Sequence, residues 1–184
     1  IYTDTSNYWK FSYDASSKEV FAVHIGGSVI VNYIASGAID ANLADTFVHY
    51  VYSHDRSSGT TVYRNGVALT AGTNTIADTT TNIHIAQPLR IGIFGTAPSE
   101  FLCKEFAFYS GTLSAADVEV LYNNSSPHVT GTEGATRNGL RGLYLMGDGT
   151  EASSGTTIYN MTDTGGSSPD DATLTNGAAY STTV

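Results

Sequence analysis

The amino-acid sequence predicts an all-β fold, a sandwich of antiparallel strands with one short helix. Short runs of aromatic and β-branched residues alternate with polar ones, the period of two that a half-buried strand requires. Gly-, Asn- and Ser-rich turns punctuate these runs. Only one window, beginning at Ser114, combines an N-capping residue with apolar spacing of helical period. The 184 residues, 41% of them apolar, can bury one sizeable core, and a β-sandwich of this length is commonly a single domain.

In chain order, Tyr8 to Tyr13 sets Trp9, Phe11 and Tyr13 on one side and Lys10 and Ser12 on the other. A polar turn over 14–18 leads to a second strand, Val20 to His24. Gly26-Gly27 then reverses the chain into a third, Ser28 to Ile34. Phe47 to Tyr52 and Thr60 to Arg64 are two further strands. The second ends in Asn65-Gly66, a strong hairpin signal because both residues tolerate positive φ. Residues 70–82, rich in Thr and Asn without periodicity, are expected to be a surface loop. Leu89 to Phe94 and Phe101 to Tyr109 supply two more strands. Ser114, with Asp117 three residues on, opens the helix that carries Val118, Leu121 and Tyr122. A long polar connection over 123–138 precedes a strand from Leu140 to Met146. The remainder offers a sheet only Ile158-Tyr159 and Ala172-Thr173-Leu174.

Composition narrows the partners. Seventeen acidic against eight basic residues give a net charge of −9, which repels phosphate backbones and anionic headgroups, so nucleic acid is not an expected partner. No window has the roughly 18 consecutive apolar residues of a membrane helix, and membrane insertion is not expected. The chain has no initiating methionine, which is expected of a processed product or a fragment of a longer protein. The single cysteine, Cys103, excludes an internal disulfide and sits in the apolar stretch Phe101-Leu102-Cys103, where a small buried hydrophobe is expected.

Several of these stretches resemble a known family. Phe47-Val48-His49-Tyr50-Val51-Tyr52 with Asp55, then Thr61-Val62-Tyr63-Arg64-Asn65-Gly66, resembles the laminin G-like pattern of a histidine strand followed by a Tyr-x-Asn-Gly hairpin. Leu89-Arg90-Ile91-Gly92 is similar to that family's Leu-x-Ile-Gly strand. Phe106 to Val118, containing Leu113-Ser114-Ala115-Ala116-Asp117-Val118, is similar to its strand-to-helix signature. The resemblance implies a concanavalin A-like, laminin G-like jelly-roll β-sandwich over residues 1–138, lacking its first strands. A C-terminal strand and Gly/Ser/Thr-rich tail, 139–184, would pack on the same domain. The chain departs from the pattern at Phe47, where the family has Trp, and at Phe101 and Lys104, where it has Gly and Asp. Gly142 to Gly149, Asp163 and Thr173 to Gly177 are similar to a tail that follows this domain in bacteriophage virion proteins and bacterial surface proteins.

Sites of chemistry are sparse. A glycoside hydrolase of this fold needs two carboxylates on one strand face, yet Glu100 and Glu105 fall on opposite faces of a regular strand, and Asp117 and Glu119 belong to the helix. His24, His49, His54, His84 and His128 are scattered without metal-ligand spacing. His49 is expected to be a histidine hydrogen-bonded within a sheet, and His54-Asp55 a turn. Calcium is the one metal considered, with Asp148, Glu151 and Asp163 as its candidate oxygen ligands; otherwise no cofactor is expected. For a glycan, Tyr159 and Tyr180 in the polar tail are the candidate stacking residues. The sequence therefore leads to a non-enzymatic structural, decoration or adhesion protein of a bacteriophage-type particle, virion-borne or extracellular. Its expected partners are other subunits, copies of itself, or surface glycans. A secreted carbohydrate-binding module is the alternative, and a glycoside hydrolase ranks last.

Overall fold

The computed structural model describes residues 7–14, 16–38, 46–81, 93–94, 97–98, 105–122, 139–145, 153–154, 157–158 and 172–173. The chain divides into two compact units, one of Ile1–Glu100 with Thr112–Pro127, the other of Phe101–Gly111 with His128–Val184.

The first unit is built on two facing antiparallel sheets. One comprises β1 (Tyr8–Tyr13), β2 (Glu19–Ile25), β3 (Ser28–Ala35) and β7 (Ala71–Ile76) in that spatial order. The other comprises β4 (Tyr50–Asp55), β5 (Gly59–Arg64) and β6 (Val67–Ala68). Local chemistry sets each reversal. Between β1 and β2, the Asp14 carboxylate accepts hydrogen bonds from the Ser16 and Lys18 amides at 2.7 and 3.0 Å. Ile25 pairs with Ser28 across Gly26 and Gly27 at φ 59° and 80°, and Arg64 pairs with Val67 across Asn65 and Gly66 at 50° and 79°. Both are two-residue loops with positive φ throughout, whose twist matches that of the strands they join.

Strand alternation sorts the side chains into rows across the first sheet. Phe11 pairs with Phe21, Phe21 with Tyr33, and Tyr33 with Asn74; the next row along contains Trp9, Val23 and Val31. From the second sheet Tyr52 and Val62, cross-strand partners, meet these rows. Phe11 and Phe21 stack at 5.1 Å between centroids, and Tyr52 lies 4.6 Å from Phe11. Phe21, Val23, Val31, Tyr33 and Val62 are all buried, so this apolar layer holds the sheets together.

The segment expected to be a loop is instead the strand β7, paired with β3 from Val31–Ile76 to Ala35–Ala71. Its side chains are largely exposed, so no apolar alternation marks it. Asn74 ties it to the facing sheet: its amide oxygen accepts from Thr60 N at 3.1 Å and its amide nitrogen donates to Thr60 O at 2.9 Å. The strand expected over Phe47 to Tyr52 begins only at Tyr50. Before it, His49 is held by backbone and side chain of Asn65, at 2.9 and 3.0 Å.

Helix α1 (Ala115–Tyr122) opens with a reciprocal cap. Ser114 Oγ accepts from Asp117 N at 3.2 Å, and Asp117 Oδ2 accepts from Ser114 N at 2.8 Å. Its approach is pinned to β4 by Ser53, whose hydroxyl donates to Leu113 O at 3.1 Å and accepts from Leu113 N at 3.0 Å. Within the helix Val118 is wholly buried, and Tyr122 lies against His49. The hairpin β8 (Ile93–Phe94) with β9 (Ala97–Pro98) belongs to the same unit.

The second unit contains β10 (Glu105–Tyr109) paired antiparallel with β11 (Leu140–Leu145), and a small sheet of β12 (Ser153–Ser154), β13 (Thr157–Ile158) and β14 (Ala172–Thr173). Phe106 and Phe108 meet edge to face at 4.7 Å. Among the described residues no helix is long and apolar enough to cross a membrane.

Candidate functional site

One row beyond the aromatic layer, the interior of the sandwich becomes polar. Glu19 leads β2, and the same alternation that directs Phe21 and Val23 inward directs Glu19 inward, where it is fully buried. Arg64 closes β5 on the face shared with Val62. Its Nη1 donates to Glu19 Oε1 at 2.8 Å, the chain's ion pair among the described residues. Tyr50, the cross-strand partner of Arg64, donates its hydroxyl to the same oxygen at 3.2 Å. Glu19 Oε2 is buried and receives no hydrogen bond from the described residues. Such an atom is uncommon: leaving a buried acceptor unpaired costs on the order of 1–3 kcal/mol, and more when it is charged.

Tyrosines surround the pair. Tyr13 stands directly across β1–β2 from Glu19, with its ring 6.3 Å from that of Tyr50. Burial, and then hydrogen bonding with Tyr13, hold the Tyr50 hydroxyl in its protonated form well above the ordinary tyrosine range. Burial does the same at Tyr52. Tyr33 is raised by burial and by the Glu19 charge, and its hydroxyl donates to Leu69 O at 3.2 Å. The Tyr50 and Tyr33 hydroxyls act as hydrogen-bond donors.

The ion pair forms one wall of a cavity of about 170 Å3, whose other walls are Ala35, Ser36, Gly37, Ala38, Leu69 and Thr70. Among the described residues Glu19 is the only acid lining it, while Ser36 and Thr70 bring hydroxyl-bearing side chains to its exposed rim. The partly exposed Arg64 guanidinium and the rim hydroxyls can exchange hydrogen bonds with a polar guest, while the Glu19 carboxylate lies fully buried behind them. They do not form the paired carboxylates of glycoside hydrolysis.

The residues singled out from sequence are placed differently. Tyr159, Tyr180, Asp148, Glu151 and Asp163 lie outside the described residues, as do Glu100, Cys103, His84 and His128. Asp117 is occupied in the helix cap. His24 stacks on Tyr8 at 4.2 Å. His49 precedes β4 rather than lying within the sheet: its backbone bonds Asn65, its ring lies 5.8 Å from that of Tyr122, and its buried Nδ1 has no hydrogen-bond partner among the described residues. His54 belongs to β4 rather than to a turn, and its Nδ1 lies 3.0 Å from Thr60 Oγ1. Asp55 begins the turn that follows, accepting from the Ser57 and Ser58 amides. Among the described residues no group of three or more His, Cys, Asp or Glu side chains is arranged around a common metal position.

Sequence reasoning missed Glu19 and Arg64, although a signal was there. Each stands at the end of a β run, two residues from an apolar side chain on the same face: Phe21 for Glu19, Val62 for Arg64. Extending the period of two by one step puts both charges inside.

Two antiparallel sheets closed over an aromatic layer, with a polar cavity at one end, define a lectin-like β-sandwich. Residues 1–119 match the laminin G model of the concanavalin A-like lectin/glucanases superfamily, and the chain belongs to that superfamily. No curated protein and no solved structure matches the chain significantly.

Proposed function

We propose that this chain is a non-catalytic structural, decoration or adhesion subunit of a bacteriophage-type particle or a similar extracellular surface, acting by contact with other subunits or with a host surface. The observation that carries the non-catalytic part is the state of Glu19. Among the described residues it is the one acid lining the cavity, and its charge is already matched by Arg64 at 2.8 Å, whereas glycoside hydrolysis requires a pair of carboxylates. Assembly through the sandwich is supported by the edges of the larger sheet. Among the described residues β1 and β7 each pair on one side only, and Tyr13, Val29, Phe47 and Val67 expose much of their side chains. The similarity of 142–149 and 173–177 to a tail found in virion proteins supports the particle setting.

Native mass by light scattering, with electron microscopy of the isolated protein, tests the reading. A ring, lattice or fibre is the expected result, and a clean monomer at every concentration would sink it. Calcium enters only through Asp148, Glu151 and Asp163, and a chelator would then lower the melting temperature. A second reading, a carbohydrate-binding module, is favoured by the polar cavity itself.

A further inference from the structure

We propose that the exposed edge of β7 pairs with the β7 edge of a second copy of this chain, antiparallel about a two-fold axis at Thr75, so that the larger sheet runs on from one copy into the next. The inference rests on the structural reading above and gives it a contact and a partner.

Three features select this edge and this partner. First, the two outer strands of the larger sheet differ in exposure. β1 is half-buried from Tyr8 to Ser12, whereas Ala71, Gly72, Asn74 and Thr75 of β7 are exposed. The Ala77 amide donates to Ile30 O at 2.8 Å, which fixes the alternation along the ladder. Thr73 and Thr75 turn their backbone groups towards β3, and Asn74 and Ile76 turn theirs outward, where none of the described strands meets them. Second, the edge lacks the devices that commonly blunt one. It has no proline, no lysine and no charge of either sign from Asn65 to Ala77, in a chain of net charge −9. Two acidic chains can meet there without opposing like charges; β1, by contrast, carries Lys10. Third, the strand is complementary to itself. Its pairing with β3 is irregular only at the Ala71 end, so 73–77 is the regular stretch. Laid antiparallel on its copy, that stretch lets Asn74 of one chain and Ile76 of the other exchange backbone hydrogen bonds. The two Thr75 side chains then meet at a non-hydrogen-bonded position, where Cα atoms lie about 4.5 Å apart and threonine pairs are favourable. Such a contact uses one patch twice, the commonest way in which identical chains associate.

Because Thr75 is exposed, a charge can be placed there without disturbing the core. Light scattering of the full chain would give the native mass of the parent, of Thr75→Lys and of Thr75→Glu. Each variant sets like charges against each other on the axis, so its mass should fall at least twofold from the parent's at an unchanged melting temperature. Mixing the two variants in equal amounts sets Lys against Glu and should restore the parent's mass. That recovery requires the strand to meet itself; a different partner, or another part of a second copy, would not produce it. Where one variant fails to fold, the mass of the other decides. A folded variant that keeps the parent's mass, or a mixture that stays dissociated, overturns the proposal. The two readings fail separately. A ring, lattice or fibre that survives both variants retains the structural role and loses this contact, whereas a dimer dispersed by both, with no larger assembly, retains the contact and loses the particle. A parent that is monomeric at every concentration overturns both.

Discussion

Two layers of one sandwich, a single row apart, solve the problem of burial in opposite ways. In the middle, Phe11, Phe21 and Tyr33 meet Tyr52 and Val62, and contact between the sheets is almost entirely carbon on carbon. At the end, Tyr13 and Glu19 meet Tyr50 and Arg64, and contact depends on one ion pair and one phenol hydrogen bond. The first arrangement stabilises through area removed from water. The second begins with the desolvation of two charges, which their mutual attraction offsets only in part, with one oxygen still unpaired. Stability does not require the charges at that position; an aliphatic pair would fill it. The difference teaches that the polar row is where a role other than folding is to be sought.

The largest effect should come from the middle. Phe21 is 3% exposed and touches aromatic rings on both sheets, so Phe21→Ala should cost about 3–5 kcal/mol in denaturant unfolding. A loss under about 1 kcal/mol would mean that the two sheets do not share this core.

At the polar end the comparison sharpens. Arg64→Leu leaves Glu19 buried beside an apolar group, and about 3 kcal/mol should be lost, near the lower edge for a broken buried pair because the Arg64 side chain is 21% exposed. Adding Glu19→Leu should restore most of it. Strong non-additivity in that double-mutant cycle is the expected signature, whereas additive losses would show that the two charges do not interact.

A third, smaller effect lies at the seam between the sheets. Asn74→Ala removes both hydrogen bonds to the backbone of the buried Thr60 and should cost about 1–3 kcal/mol. Asn74→Asp, which retains the acceptor and loses the donor, should fall between that variant and the parent.

Asn74 also marks the limit of what the sequence discloses. The strands β1, β2 and β3 are legible because one face of each is apolar, and the hairpin at Asn65-Gly66 because two adjacent residues adopt positive φ. The cap at Ser114 is legible for the same local reason. By contrast, β7 is held by backbone pairing to β3 and by a side chain that bonds a residue 14 positions earlier, neither of which imposes a pattern on its own residues. The candidate site was hidden in a related way: Glu19 and Arg64 are 45 residues apart, and a charge at the end of a strand reads locally as the start of a turn. The fold was therefore readable wherever hydrophobic period or turn chemistry is local, and the site was not, because it is a product of register between two sheets.

The smallest effect is a slope in pH from two histidines, His54 near the far end of β4 and His49 just before its start. His54 is held below the ordinary histidine value of 6.5, chiefly by burial and further by Arg56, with Asp55 opposing; His49 is lowered by burial alone. A histidine whose pKa is lower in the folded chain binds its proton more readily when unfolded. The stability associated with the neutral rings is therefore complete above pH 6.5 and declines as the pH falls below that value toward the folded-state pKa. Replacing His54 with Gln, which can still bond Thr60 Oγ1 but does not titrate, should flatten part of that decline; His49→Phe, which keeps a ring against Tyr122, should flatten another part. The His54 change should leave the Glu19–Arg64 pair untouched, since His54 pairs with Thr60, four residues along β5 from Arg64. A melting temperature that rises as the pH is lowered from 7 to 5 would invert the sign and show that the rings are charged in the folded chain.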